Sequence, residues 1–314
     1  MRRVLLTTYP TAFLHHGGGE REILLINEAL NAAGIMANIY GPTSRSLDVY
    51  QDVIHFSLAE GTGQMIDAMA HGDRRFILWP NLWFVDTPSA AYVAHLQYLL
   101  GHFQVIVFKS NTEEVHFREY FDISGLEVMR VSPLISNKFG QRNVSTVFKE
   151  SYGLSEYAIW TGIIEPQKNQ LAAVRAFRDS EIPLVVSGEV RDRTYFEQCR
   201  AEAGENTFFI PAMSFGSELH LSALAHCSLY VELPLDFPGT SALEAATMGC
   251  RLLLSKSMWT QEMLGGRCME VGVHDVDDIH AMAMMAMASE QPTRFGKHLK
   301  QTEVALSSII EYLK

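Results

Sequence analysis

Two carboxylates flank a tight turn in the second half of the chain, in the segment Asp236-Phe237-Pro238-Gly239-Thr240-Ser241-Ala242-Leu243-Glu244. The sequence predicts a helix that begins near Thr240. Asp236 precedes this helix, and Glu244 lies about one turn inside it. Such carboxylates can accept hydrogen bonds from sugar hydroxyls, while the backbone N–H groups of Gly239 to Ser241 can face phosphate oxygens. An N-capping turn beside a solvent-facing glutamate explains either acid alone, but it explains the whole segment less well.

Two further loops in this half carry cations suited to phosphate. In the loop Gly162–Asn169, Lys168 opens a helix, where a cation does not complement the helix dipole and an anionic ligand would explain its place. In the loop Ser187–Arg193, Arg191 or Arg193 could hold a phosphate through two parallel hydrogen bonds. Solvated surface side chains remain the alternative in both loops.

A run of three glycines lies near the amino terminus, in His15-His16-Gly17-Gly18-Gly19-Glu20. Glycines let the backbone approach a ligand closely, and the start of the following helix offers unpaired N–H groups to an anion. The run does not match G-x-G-x-x-G and no acid stands where a dinucleotide ribose needs one, which disfavours NAD binding. A flexible turn is the alternative, and the paired histidines could handle protons, although solvated histidines are commoner in loops.

Short apolar runs alternate with helical stretches, and these elements must position the loops. Near-continuous apolar strands separated by helices indicate parallel sheets covered on both faces. Ligands bind at the carboxyl ends of strands in such sheets, so a site is expected in the loops above. The predicted strands are Val4–Thr8, Ala37–Tyr40, Val53–Phe56, Phe76–Trp79, Val105–Phe108, Val128–Val131, Ala158–Thr161, Leu184–Ser187, Phe208–Pro211, Leu229–Leu233, Arg251–Leu254 and Met269–Val273.

A polar stretch from Pro133 to Ser155 interrupts this alternation and is predicted to link two domains. The sequence therefore predicts an α/β protein with two doubly wound parallel-sheet domains facing a cleft. We place the first domain at residues 1–150 and the second at residues 151–295. Residues 296–314 are predicted to form a helix that packs back on the first domain.

Composition excludes several classes of protein. The chain has 314 residues with 47% hydrophobic and 19% charged, enough apolar sequence for real cores. A net charge of -11 argues against nucleic-acid binding, which depends on neutralising phosphates. The uncharged stretch Thr87–Phe108 reads as a helix and a strand because it contains polar residues that are costly in a membrane. The four cysteines form no CxxC pair, and we expect a reduced cytoplasmic protein with at most peripheral membrane contact.

Taken together, the loops resemble those of retaining glycosyltransferases of the GT-B fold, family 4 in particular. That family carries the motifs G-G-x-E, D-V-V-H, G-R-L-x-x-x-K-N and E-G-F-G-x-x-x-x-E-A-M-A-x-G in this order. The matching residues here are Gly17-Gly18-Gly19-Glu20, Val53-Ile54-His55, Gly162, Lys168, Asn169, Asp236, Phe237, Gly239 and Glu244-Ala245-Ala246-Thr247-Met248-Gly249. The order and spacing match across nearly the whole chain.

The resemblance implies the GT-B fold, with two Rossmann-like domains, and transfer of a sugar from a nucleotide-diphosphate sugar to an acceptor hydroxyl. It implies no metal or other cofactor, and a glycan, lipid-linked or small-molecule acceptor. Glu244 would bind the ribose, Asp236 the transferred sugar and Lys168 the diphosphate. The further residues assigned to sugar and phosphate are Gly18, Gly19, Gly162, Phe237, Gly239, Thr240 and Ser241.

Two positions depart from the family pattern. Ile163 stands where an arginine is expected, so one of two diphosphate-binding cations is missing unless Arg191 or Arg193 replaces it. Asn81 stands after the fourth strand, where the family often has a histidine near the sugar, and it can form hydrogen bonds without acting as an acid or base. These departures keep a second hypothesis open, namely a catalytically impaired scaffold that binds a nucleotide sugar or a glycan.

Two other features have competing explanations. The acids of Asp275-Val276-Asp277-Asp278 match the D-x-D pattern that holds manganese in glycosyltransferases of the other major fold, but acids that open a helix are expected as caps. Trp79 is expected in the core. Trp83 and Phe84, lying past a strand end, are candidates for stacking on an acceptor sugar.

Overall fold

The computed structural model describes residues 2–14, 17–42, 44–58, 61–70, 72–141, 143–289 and 302–314. His15, His16 and residues 296–301 of the expected C-terminal helix lie outside this part. The chain divides into two compact units. Unit 1 contains Met1–Leu134 with Lys300–Lys314, and unit 2 contains Ile135–Leu299, so the division falls earlier than the expected boundary at residue 150.

Unit 1 is built on a six-stranded parallel sheet with the order β2-β1-β3-β4-β5-β6. Its strands are β1 (Arg3–Thr8), β2 (Met36–Ile39), β3 (Asp52–Phe56), β4 (Arg75–Trp79), β5 (Val105–Phe108) and β6 (Glu127–Arg130). Its first helices are α1 (Gly18–Ala32), α2 (Gly63–Met69), α3 (Ala90–Leu100) and α4 (Asn111–Arg118). A 3₁₀ turn spans Leu47–Val49. The strand order reverses between β1 and β3.

Unit 2 is built on a second six-stranded parallel sheet, with the order β12-β11-β10-β7-β8-β9. Its strands are β7 (Ala158–Thr161), β8 (Leu184–Ser187), β9 (Thr207–Ile210), β10 (Leu229–Glu232), β11 (Leu252–Ser255) and β12 (Met269–Val271). Its helices are α5 (Val147–Tyr152), α6 (Gln170–Ala176), α7 (Arg193–Glu202), α8 (Glu218–Ala225), α9 (Thr240–Met248), α10 (Met258–Leu264) and α11 (Val276–Ala288), with 3₁₀ turns at Asn137–Gly140 and Pro166–Lys168. Counted from β7, this is the Rossmann order, and it reverses between β7 and β10.

Both sheets are covered on their two faces, which explains their continuous apolar strands. Every residue of β5 is fully buried, and its side chains alternate between two separate cores. Val105 and Val107 pack with the α1 side of unit 1, while Ile106 and Phe108 pack with the α3 side. The expected pattern of parallel strands is confirmed in both units.

The stretch Pro133–Ser155 differs from the expected linker, because much of it belongs to the body of unit 2. Phe139 and Phe148 are fully buried in its core. The Phe148 amide also donates to the Ser222 hydroxyl at 3.0 Å. Two widely spaced aromatic side chains anchor this polar stretch without giving it a helical period, so the pattern of the sequence alone did not reveal it.

The C-terminal helices α12 (Thr302–Ala305) and α13 (Ser307–Leu313) belong to unit 1. Leu306, Ile309 and Leu313 are buried in the same core as α1. The Arg75 guanidinium lies 4.4 Å from the centre of the Tyr312 ring. Among the helices described, none is both long and apolar enough to cross a lipid bilayer.

Candidate functional site

The carboxyl ends of β7 and β10 form the switch point of unit 2, where ligands bind in sheets of this type. The loop after β7 contains Lys168, and the loop after β10 contains Asp236. Two hydrogen bonds join these loops: the Leu235 amide donates to the Gln167 carbonyl at 2.9 Å, and the Asn169 side chain donates to the Leu233 carbonyl at 3.0 Å. The loops are therefore fixed against each other.

Lys168 and Asp236 form an ion pair across this switch point. The Lys168 ammonium lies 2.9 Å and 3.2 Å from the two carboxylate oxygens of Asp236. Their side chains are 31% and 14% exposed, so the pair is partly open to solvent. Lys168 ends a 3₁₀ turn, and Asn169 adopts the left-handed conformation (φ 57°) to start α6. The structure brings together the cation and the first acid that the sequence predicted to act on one ligand.

Helix α9 begins beside this pair, at the residue that the sequence predicted. Gly239 is its N-cap and has no side chain to bind the first N–H groups. Glu244 lies on the second turn, where it is buried rather than solvent-facing. Phe237 packs against the core of unit 2.

Glu232, the last residue of β10, is a buried carboxylate that the sequence analysis did not single out. It accepts hydrogen bonds from the Gly239 amide at 2.7 Å and from the Ser241 hydroxyl at 2.9 Å. The Tyr230 hydroxyl donates to it at 2.8 Å. Burial raises the pKa of this carboxyl, outweighing the opposite effect of its hydrogen bonds and of Lys168. The signal that could have identified Glu232 in the sequence is an acid at the end of an apolar strand.

The hydrogen bond from the Gly239 amide to Glu232 reduces the number of N–H groups that the start of α9 can offer to a ligand. The Gly239 amide is engaged inside the protein, whereas Thr240 and Ser241 keep backbone N–H groups that donate no hydrogen bond within the described residues. The start of α9 therefore offers two such donors to a ligand, rather than the three expected from Gly239 to Ser241.

The loop after β8 lies against the loop after β7. A side chain at Gly188 would put its Cβ 1.7 Å from the Gly162 carbonyl oxygen, so only glycine fits there. Arg191, the candidate replacement for the missing arginine at Ile163, has its guanidinium 3.0 Å from the Glu165 carboxylate. Arg191 thus reaches the loop of Lys168, but it is paired with an acid of that loop.

The switch point of unit 1 lies between β1 and β3, next to the glycine run. Helix α1 begins at Gly18 with Gly17 as its N-cap. The Glu20 carboxylate accepts hydrogen bonds from the Gly17 amide at 2.9 Å and from the Tyr9 hydroxyl. A Cβ at Gly19 would lie 3.1 Å from the Phe56 ring and 3.6 Å from the Asn81 side-chain nitrogen. Gly19 and Asn81 therefore lie close together.

Asn81 is held by a largely buried ion pair that the sequence did not reveal. The Lys109 ammonium donates to the Asn81 side-chain oxygen at 3.0 Å and to the Glu22 carboxylate at 2.9 Å. The Trp79 indole N–H also donates to Glu22, at 3.1 Å. Burial lowers the pKa of Lys109, but the charges of Glu22 and Glu113 outweigh it, so the net pKa is raised and Lys109 stays a cation.

The aromatic candidates after β4 make contacts of their own. Trp79 is fully buried, as expected. Trp83 stacks on His116 with ring centres 5.2 Å apart, and Phe84 packs edge-on against Tyr120.

The acids at the start of α11 form a cap, as the sequence indicated. The Asp275 carboxylate accepts hydrogen bonds from the backbone amides of Asp277 and Asp278 at 3.0 Å and 3.1 Å. Within the part of the chain that the structure describes, no group of three or more His, Cys, Asp or Glu side chains is arranged to hold a metal ion.

Comparison with solved structures places this fold among the GT-B proteins. Anabaena HepE, solved with UDP and glucose, superposes with a TM-score of 0.78 at 12% identity, over 100% of this chain and 99% of HepE. Sucrose-phosphate synthase from Thermosynechococcus elongatus gives 0.75 at 11% identity, over 100% and 95%. AviGT4, a glycosyltransferase of avilamycin A biosynthesis, gives 0.66 at 15% identity, over 100% and 97%. The chain has the GT-B architecture of two Rossmann-like domains.

The same fold also carries other chemistry. UDP-GlcNAc 2-epimerase from Methanocaldococcus jannaschii gives a TM-score of 0.61 at 10% identity, over 99% of this chain and 100% of that one. No protein-family model matches the sequence, and no curated protein matches it by sequence. Function must therefore be argued from the site rather than from the fold.

Proposed function

We propose that this chain is a glycosyltransferase that moves a sugar from a nucleotide-diphosphate sugar to an acceptor hydroxyl. The ion pair of Lys168 and Asp236 carries the proposal, because it puts a cation and the acid that we assign to the sugar at the switch point of unit 2, beside the start of α9. The fold supports it, since HepE has the same architecture and was solved with UDP-glucose.

The chemistry suits these groups. The bond between the anomeric carbon and the diphosphate oxygen breaks, and the acceptor oxygen bonds to the anomeric carbon while its proton passes to the leaving diphosphate. Negative charge grows on that diphosphate, so preorganised donors such as the Lys168 ammonium and the amides of Thr240 and Ser241 lower the barrier. Following the family resemblance, we propose that the configuration at the anomeric carbon is retained and that no metal ion takes part.

The family resemblance assigns roles to further residues. Glu244 binds the ribose hydroxyls of the nucleotide, and Asp236 binds the hydroxyls of the transferred sugar. In unit 1, Asn81 donates to the sugar, and Gly18 and Gly19 offer close backbone approach to the diphosphate. The acceptor is a glycan, a lipid-linked sugar or a small molecule, and the reaction belongs to glycan or glycoconjugate assembly.

A ligand screen followed by two substitutions tests this proposal. UDP, GDP and ADP, then their sugars, are tested for thermal stabilisation of the chain, and nucleotide release is measured with the sugars that bind. We expect Glu244→Ala to abolish nucleotide binding and Asp236→Asn to lower turnover more than binding. Asp277→Asn, at the exposed start of α11, is the matched control and should change neither. Unchanged nucleotide affinity in Glu244→Ala would refute the assigned site.

A second candidate function is a catalytically impaired scaffold that binds a nucleotide sugar or a glycan. Ile163 and the pairing of Arg191 with Glu165 favour it, because both reduce the positive charge available to a diphosphate. Binding of a nucleotide sugar without nucleotide release, across all acceptors tried, would favour the scaffold. Turnover that needs Mn²⁺ and stops when a chelator is added would instead support a metal site at Asp275–Asp278.

A further inference from the structure

Helix α9 receives its cap from a neighbouring strand rather than from its own residues. In most N-caps, a Ser, Thr, Asn or Asp side chain accepts the backbone N–H of the second or third helical residue. Asp192 does this for α7, where it accepts the Tyr195 amide at 2.9 Å. The cap of α9 is Gly239, which has no such side chain, and the buried Glu232 carboxylate of β10 instead accepts the amide of Gly239 itself and the hydroxyl of Ser241.

The position of this acceptor decides which N–H groups stay open. Glu232 takes the Gly239 amide and the Ser241 hydroxyl, and it takes neither the Thr240 nor the Ser241 amide. A conventional cap at position 239 would close the amide of Ser241 or Ala242 with its own side chain. Capping from β10 thus orders the turn while leaving the first amides of α9 for an external anion.

Glu232 also connects the two loops of the switch point. The Tyr230 hydroxyl that donates to Glu232 lies 3.5 Å from both the side-chain and backbone oxygens of Thr161, the last residue of β7. Gly162 and the loop of Lys168 follow directly. One carboxylate therefore lies between the end of β7 and the start of α9.

We propose that Glu232 is a positioning residue of the donor site, which holds the turn Gly239–Ser241 so that the amides of Thr240 and Ser241 receive the diphosphate of the donor. This inference rests on the proposed function, and it assigns Glu232 no contact with the substrate. It predicts that removing the carboxylate disorders the turn and weakens diphosphate binding, even though Glu232 lies outside the residues assigned to the ligand.

The first experiment measures the turn without any ligand. Hydrogen–deuterium exchange of the peptide 234–243 is compared between wild type and Glu232→Gln. The glutamine side chain keeps one acceptor oxygen but cannot carry the negative charge. We expect faster exchange in this peptide. The matched control is Glu114→Gln in unit 1, another buried glutamate bound by two donors, Arg118 and Arg130, which should leave the peptide unchanged. Equal exchange in Glu232→Gln and wild type would overturn the proposal.

The second experiment separates positioning from mere stability. Gly239→Ser introduces a conventional cap at a position whose φ of -96° suits any residue, and its Cβ would meet only ordinary contacts. We expect the melting temperature to hold or rise, while affinity for the tightest-binding of UDP, GDP and ADP falls about tenfold, because the new hydroxyl closes an amide. Unchanged affinity in Gly239→Ser would overturn the proposal, since the amide that the new hydroxyl closes would then not receive the diphosphate.

The two experiments distinguish failure of this inference from failure of the proposed function. Faster exchange in Glu232→Gln, in a chain that binds none of the three diphosphates, would uphold the control of the turn by Glu232 and refute the glycosyltransferase. Tight diphosphate binding that is the same in wild type, Glu232→Gln and Gly239→Ser would uphold the site and refute the role of Glu232.

Discussion

The two units begin their switch-point helices in similar ways. Helix α1 is capped by Gly17 and helix α9 by Gly239, and each glycine amide donates to a buried glutamate. Each of these glutamates also accepts a tyrosine hydroxyl. They differ in origin, because Glu20 is the third residue of α1 itself, whereas Glu232 comes from a strand. The same capping chemistry thus comes from within the helix in unit 1 and from the preceding strand in unit 2.

The ion pairs at the carboxyl ends of the two sheets differ in exposure. The side chains of Lys109 and Glu22 in unit 1 are 17% and 7% exposed, against 31% and 14% for Lys168 and Asp236 in unit 2. A buried pair is costly to break, whereas a more open pair can exchange its partners for a charged ligand at lower cost. We therefore expect the first pair to matter mainly for stability and the second mainly for ligand chemistry.

The largest expected effect is on the stability of unit 1. Lys109→Gln leaves the Glu22 carboxylate buried without a cation, which we expect to lower the free energy of unfolding by about 3–5 kcal/mol. Urea denaturation measures the change. Arg118→Gln is the control, because Arg118 is 46% exposed and Glu114 keeps Arg130, so its loss should be below about 1 kcal/mol. An equally small effect of Lys109→Gln would break the comparison.

The next effect is on turnover and belongs to unit 2. Lys168→Gln removes the cation assigned to the leaving diphosphate, and we expect kcat to fall about 10²- to 10³-fold with little change in melting temperature. Nucleotide release at saturating donor is the measurement. Lys256→Gln, at an exposed lysine directly after β11, is the control in the same sheet. If both variants turn over equally, Lys168 does not stabilise the leaving group.

The smallest of the three effects is a loss of stability of unit 1 at acidic pH. Burial lowers the pKa of His55 in β3 to about 4. The unfolded chain, with the ordinary value of 6.5, therefore takes up a proton that the folded chain refuses. Stability is expected to fall as the pH drops from about 6.5 to about 4, by about 2 kcal/mol at pH 5. Urea titrations at pH 7 and pH 5 measure this, and His55→Gln should remove that part of the pH dependence.

Much of the fold was predictable because its signals are local. The strands are continuous apolar runs, and the structure shows each predicted strand within a residue or two of its expected bounds. The cap at Asp275 and the start of α9 near Thr240 were predictable because capping depends on residues next to each other in the chain. The division between the units does fall within the stretch Pro133–Ser155, but most of that stretch is not a free linker, because Phe139 and Phe148 pack in the core of unit 2.

The candidate site was predictable in its parts. Lys168, Asp236 and Glu244 were found from their types and spacing, and the structure shows that the first two meet. Lys109 and Glu232 were missed because an isolated charge at a strand end looks the same in sequence whether it is solvated or buried. Only the folded chain shows that Glu232 is buried, that Lys109 is largely buried and that each has several partners.

The sequence by itself determined the alternation of strands and helices, the loops that carry charge and the glycines that open two helices, because each depends on neighbouring residues. The tertiary structure decided which charges became partners, namely Asp236 with Lys168 and Arg191 with Glu165, and it gave the Gly239 amide its acceptor in Glu232. These partners come from different strands and loops. Parallel crossovers bring the carboxyl ends of distant strands to one edge, and no local pattern encodes which side chains meet there.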